Sequence, residues 1–194
     1  TTTFARAYAP GAHGTISGAT PQAVAHGGSG TPVTAVPDAG YHFLSWSDGI
    51  STATRTDTNV TASLNVTATF AINTYTLTYT PGAHGTILGA SPQTVNWGEA
   101  GTPVTAVPDT GYHFTGWSDG VLTATRTDAG AANLAVTATF VINTYTLTYA
   151  AGLHGTISGV GVQTVPHGGS GTPVTAVPDA GYHFTSWSDG VGTA

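Results

Sequence analysis

The chain has 194 residues, only 6% of them charged, and a formal net charge of −6. Soluble globular domains carry roughly a quarter charged residues, so Thr, Ser, Gly and Ala hold the surface here. Three dispersed arginines (Arg6, Arg55, Arg126) argue against nucleic acid or an anionic membrane surface as partner. The absence of Cys excludes disulfides and thiolate metal sites, and the absence of Lys excludes Lys–Asn isopeptide crosslinks. No apolar run approaches the roughly 18 residues of a membrane-spanning helix.

One unit of about 70 residues is written nearly three times. GTPVTAVPD stands at 30–38, 101–109 and 171–179, and a GYHF…WSDG block at 40–49, 111–120 and 181–190. Such a period means an array of small modules. The divisions are 1–73, 74–143 and 144–194, the third lacking a last strand.

In the complete second copy, Tyr75–Tyr79 alternates strictly, with Tyr75, Leu77 and Tyr79 on one face. A Pro81–Gly85 turn precedes a short strand at Thr86–Leu88, and Gln93–Trp97 is the next extended run. Pro103–Val107 follows, bracketed by prolines as at a strand end. After a Pro108–Gly111 turn comes the aromatic strand Tyr112–Trp117, and Ser118-Asp119-Gly120 reads as a tight hairpin turn. The last strand is Leu134–Ile142, with Leu134, Val136, Ala138 and Phe140 facing inward. No stretch shows helical periodicity, so the fold is all-β or nearly so. The complete copies differ by one residue between Arg55 or Arg126 and the last strand, which predicts an exposed loop there. The joints Phe70–Tyr75 and Phe140–Tyr145 hold neither Gly nor Pro, so they should be short and stiff. Compact-domain scaling then predicts a rod of roughly 80–90 Å.

The predicted core is aromatic: Tyr41, Phe43, Tyr112, Phe114, Tyr182, Phe184, Phe70 and Phe140. Trp46, Trp117 and Trp187 belong either to that core or to a sugar-stacking platform. Trp97, aligned with Ala25 and Pro166, is the best candidate for an exposed ligand-binding aromatic. The eight His fall at three repeat positions, the third (His26, His167) being Asn96 in the second copy. They are read as structural or solvated, because no closely spaced His pair gives a metal site. Asp48, Asp119 and Asp189, with Asp38, Asp109 and Asp179, are each isolated and suit Asx turns better than Ca²⁺, leaving intermodule calcium open. Neither metal nor cofactor is expected, and no G-x-S-x-G, H-E-x-x-H or phosphate loop appears.

The pattern Y-T-L-T-Y-x-x-G-x-H-G-T-I at Tyr75–Ile87, the run Gly101–Gly120 and V-T-A-T-F at Val136–Phe140 resemble the internalin B-type repeat family, in its divergent branch. The resemblance covers essentially the whole chain, and its most specific part is Gly111, Tyr112, Phe114, Gly116 and Trp117. Ser45 and Ser186 replace Gly116 in the other copies. It implies compact β modules of β-grasp type, strung in tandem in large bacterial surface or secreted proteins and not catalytic. The expected product is an array of β-grasp-like or β-sandwich-like modules. It would act outside the cell as an adhesin stalk or filament body. The alternative is a repeated module that recognises glycan or host protein through its aromatics. Expected partners are neighbouring copies of the repeat, including head-to-tail self-assembly. The start at Thr1 without Met is read as a mature protein or a window on a longer one.

Overall fold

The computed structural model describes residues 1–194 and contains strands but no helix. The first repeat runs β1 (Thr3–Pro10), β2 (Gly14–Ser17), β3 (Gln22–Ala25), β4 (Val33–Pro37), β5 (Tyr41–Trp46), β6 (Thr54–Arg55) and β7 (Leu64–Ile72). Four of these make a sheet in the order β3-β1-β7-β5, and β2-β4-β6 make a second, smaller sheet. First and last strands lie side by side and parallel, Tyr8 opposite Val66, and every other pairing is antiparallel. A parallel central pair with antiparallel flanks is a β-grasp arrangement. The small sheet supplies the second layer of a sandwich.

Side chains alternate along a strand, so each sheet needs one apolar face turned to the other. Tyr8, Val33, Ala35, Trp46, Val66 and Ala68 form the buried cluster, with Ile16, Phe43, Leu64 and Phe70 packed against it. The aromatic strand poses a problem of register. Phe43 and Trp46 are three residues apart and would point to opposite faces of a regular strand. A bulge between Phe43 and Ser45 solves it: Phe43 pairs with Phe70, Ser45 with Thr69, and the half-exposed Leu44 is the extra residue. Phe114 and Gly116 repeat the device against Phe140 and Thr139. Both aromatics then reach the core, with ring centroids 5.8 Å apart in the first repeat and 5.9 Å in the second.

The second repeat runs β8 (Thr74–Pro81), β9 (Gly85–Leu88), β10 (Gln93–Asn96), β11 (Val104–Pro108), β12 (Tyr112–Trp117), β13 (Thr125–Arg126) and β14 (Leu134–Ile142), with the same two strand orders. The third has β15 (Thr144–Thr148), β16 (Gly155–Ser158), β17 (Val162–Pro166) and β18 (Thr175–Pro178), paired as β15-β17 and β16-β18. By contacts the chain divides into two compact units. One is Thr1–Thr78 with Ala90–Pro103 and Thr127–Ala135. The other is Tyr79–Gly89 with Val104–Arg126 and Val136–Ala194.

Three expectations need correction. Ser118-Asp119-Gly120 does make a tight turn, closed by Gly120 N–H to Trp117 O at 2.9 Å and Trp117 N–H to Val121 O at 2.8 Å. It is not a hairpin, because β12 pairs with β14 while the following β13 joins β11. The loop before the last strand is not simply exposed: Val60 is fully buried and exchanges backbone hydrogen bonds with Gly27 and Gly28. Tyr41 and Tyr112 are half-buried rather than central, and Tyr182 is 52% exposed. Each stacks face to face on a turn histidine, His13, His84 or His154, at 4.1 Å. Those histidines adopt φ of 68, 68 and 63°, a left-handed conformation uncommon outside Gly.

The seat of the last-strand Phe is set by a glycine on the facing sheet. A Cβ at Gly14 would overlap the ring of Phe70, and one at Gly85 the ring of Phe140. Gly85→Ala should therefore lower stability by about 1–3 kcal/mol through overpacking. A urea midpoint unchanged from the parent would show that the ring is not seated there.

Candidate functional site

In a chain with three cations, where each arginine goes is decisive. Arg55 ends β6, and its side chain is 4% exposed. It reaches Asp48 with both guanidinium ends, Nη1 to Oδ1 at 3.1 Å and Nη2 to Oδ2 at 2.9 Å. Nε and Nη2 also donate to Asp57 Oδ1 at 3.2 and 2.8 Å. The cation lies 5.3 Å from the Trp46 ring and 5.7 Å from that of Tyr8. Such a fork satisfies the charge while the planar face covers the aromatics. Arg126 repeats the design with Asp119 at 3.0 and 2.7 Å, over Trp117 and Tyr79. Asp48 and Asp119 are thus not isolated turn residues, as their spacing in sequence suggested. Each also accepts from a backbone N–H two residues on, as an Asx turn does. The guanidinium hydrogen bonds hold both carboxyls below their ordinary range. Asp189 keeps only the turn bond, from Val191 N–H at 3.1 Å.

Tyr8 donates its phenol to Asp57 Oδ2 at 2.8 Å, and Arg6 Nε stands 3.8 Å from the same oxygen. Burial, then the hydrogen bond to that carboxylate, pushes the Tyr8 phenol up to about 12. A buried glutamine forms a second repeated element. Gln93 Nε2 donates to Ala90 O and Thr102 O, both at 2.9 Å, and its Oε1 accepts from Thr102 N–H at 2.7 Å. Gln22 and Gln163 make the same three bonds. Nothing in the sequence singled out these glutamines except their recurrence.

This glutamine also fixes the alignment of the copies. Trp97 stands four residues after Gln93, as His26 and His167 stand after Gln22 and Gln163. Trp97 therefore replaces a histidine, not Ala25 and Pro166, and Asn96 is not the histidine position. It is exposed, at 42%, as expected, and it is also in contact with the preceding repeat. It lies over Gly40 of the preceding repeat, where a Cβ would overlap the indole. The Trp97 backbone N–H donates to Asn73 O at 2.8 Å, Asn73 N–H donates to Gly40 O at 2.8 Å, and His42 Nδ1 donates to Asn73 Oδ1 at 2.8 Å. One asparagine in the joint thus ties two repeats through three bonds. Asn143 does the same with Gly111, His113 and the N–H of His167, whose ring covers Gly111. The two joints lie one in each compact unit.

Trp46 and Trp117 are 1% and 3% exposed, so their faces are turned to the core and not to a ligand; Trp187 is half-buried. No three His, Asp or Glu side chains gather as metal ligands would.

Fold and joints define a class: tandem two-layer β modules, the first two each closed on an aromatic core and stitched to the next. The family model for the divergent InlB B-repeat domain matches residues 5–74, 75–144 and 145–194, so the chain belongs to that family. The family is typical of bacterial surface proteins and is a non-catalytic structural type. No curated protein and no solved structure matches the chain.

Removing Arg55 strands two carboxylates and uncovers two rings, so Arg55→Ala should cost about 3 kcal/mol. Asp48→Ala should cost less than half of that, because Asp57 still holds the guanidinium. Equal losses in thermal or denaturant unfolding would refute the shared network. Titration adds a second check. Asp48 and Asp119 have lowered folded pKa values, so their contribution is full above about pH 4 and lost as pH falls below it. Tyr8 is raised, so its contribution is full below about pH 10 and lost as pH climbs toward about 12. Tyr8→Phe should remove the extra alkaline loss and leave the acid limb unchanged.

Proposed function

We propose that the chain is a stalk segment of a bacterial surface adhesin, built to hold its neighbours at a fixed spacing outside the cell. The observation that carries this reading is the joint. The same Asn–Gly–His arrangement occurs at both repeat boundaries, once closed by Trp97 and once by His167. An arrangement built twice with different closing side chains indicates that coupling between repeats is what the design keeps. In a linear array, stability is the sum of module terms and nearest-neighbour terms. A spacer gains from a large neighbour term, because it resists bending and opening at each boundary.

Low charge and Thr-rich surfaces suit the same role, since no field favours a nucleic acid or anionic lipid partner. The body of an extracellular filament would use the same joints, with copies of the repeat as partners.

Asn73→Ala and Asn143→Ala test the reading. The parent chain should melt with its first two repeats coupled. Asn73→Ala should split that transition, with little change in the far-ultraviolet spectrum of the folded state. Pulling on single molecules should release about 240 Å of chain for each 70-residue repeat that opens. Saturable glycan or protein binding that Trp97→Ala abolishes would instead make this a recognition module.

A further inference from the structure

The two joints are alike in every polar contact and differ in one ring. Trp97 N–H donates to Asn73 O at 2.8 Å, and His167 N–H to Asn143 O at 2.7 Å. Asn73 and Asn143 donate their N–H to Gly40 O and Gly111 O, both at 2.8 Å. His42 and His113 meet the two asparagine Oδ1 atoms at 2.8 and 2.7 Å. The glycines share a left-handed backbone, with φ of 81 and 84°. One strand position beside the stitch also differs, Ala71 opposite His42 and Val141 opposite His113. Each faces a histidine of its own repeat and adds nothing across the boundary.

We infer that the joints are graded: the boundary at Asn143 is a built-in yield point that opens before the boundary at Asn73, because an imidazole and not an indole covers its glycine. The atoms each ring lays over its glycine carry the argument. At Gly40 the nearest are Cδ2, Cε3 and Cγ of Trp97, all carbon. At Gly111 they are Cδ2, Cγ and Nε2 of His167. Apolar contact stabilises in proportion to the area it removes from water, and the indole brings the larger apolar area. A ring nitrogen turned toward an α-carbon gains nothing of the kind, since it finds no hydrogen-bond partner there. The other imidazole nitrogen, Nδ1, lies 3.4 Å from the hydroxyl of Tyr145, a group of its own repeat, so that contact does not tie the two repeats together. With the backbone bonds matched, the cover decides which boundary holds longer. The use of such a yield point rests on the stalk reading, in which a loaded spacer would lengthen first at one fixed boundary. Its existence does not, and the ring substitutions below test it separately from Asn73→Ala.

The test uses the whole chain and reads hydrogen exchange at the backbone amides of positions 97 and 167, whose bonds to Asn73 O and Asn143 O cross the two boundaries. Each rate is divided into the unfolded-chain rate of the residue present, so that substitutions at these positions can be compared. In the parent, position 97 should be protected at least tenfold more than position 167, about 1.4 kcal/mol. Trp97→His should lower protection at 97 about tenfold and leave 167 unchanged. His167→Trp should raise protection at 167 and leave 97 unchanged, and the two substitutions together should reverse the order of opening. Equal protection of the two amides in the parent would overturn the inference. So would a position 167 that stays as labile in His167→Trp, because the ring would then not be what sets its opening. A position 97 indifferent to Trp97→His would overturn it on the same ground.

Discussion

The closing strand sits between the first strand and the aromatic strand, and most of the repeat depends on that seat. In the first repeat β7 gives Val66 and Ala68 to the core and sets Phe70 over Gly14. Its backbone pairs with β1 on one side and β5 on the other. Because β7 runs parallel to β1 and flows into β8, the chain leaves one repeat and begins the next at Asn73. The joint needs no linker, and one asparagine stitches both sides. In residues 144–194, where no strand fills that seat, the aromatic segment stays out of the sheet while its rings keep their mutual positions.

Small modules bury too little surface to be generous with stability, and this chain has no disulfide with which to compensate. Its core nevertheless holds a cation. Arg55 and Arg126 lie over the Trp and Tyr of the core and are neutralised by carboxylates from the adjacent turn. A buried ion pair is seldom a net gain over apolar packing. Here it fixes the Ser-Asp-Gly turn to the end of the small sheet, and so positions the bulged aromatic strand against β6 or β13. Conformational specificity is the better account of what it contributes.

The joints carry the functional argument because they alone distinguish an array from beads on a string. The two use the same asparagine geometry and differ in the covering ring, indole over Gly40 and imidazole over Gly111. Glycine is required at both for a local reason, since φ is positive and the ring lies where a side chain would be. The part-exposed Trp97, which invited a ligand-binding reading, is therefore also a packing element between repeats.

The repeat, the all-β class and nearly every strand were legible in the amino-acid sequence. Turn residues and alternation of period two are local properties, and three copies display them repeatedly. Family membership was legible for the same reason. The alignment around Trp97 slipped by one position, because the identity of neighbours across a one-residue shift is decided by the Gln93 bonds to Ala90 and Thr102, not by side-chain type. The pairing of Asp48 with Arg55, the buried Gln, the bulge that turns Phe43 and Trp46 to one face, and the asparagine stitch were not legible either. Each brings together groups whose meeting depends on register and on two sheets closing over one another. The sequence by itself determined which segments extend and which faces are apolar. The tertiary structure alone decided which polar groups satisfy one another, because hydrogen bonds and ion pairs need positions accurate to a fraction of an ångström.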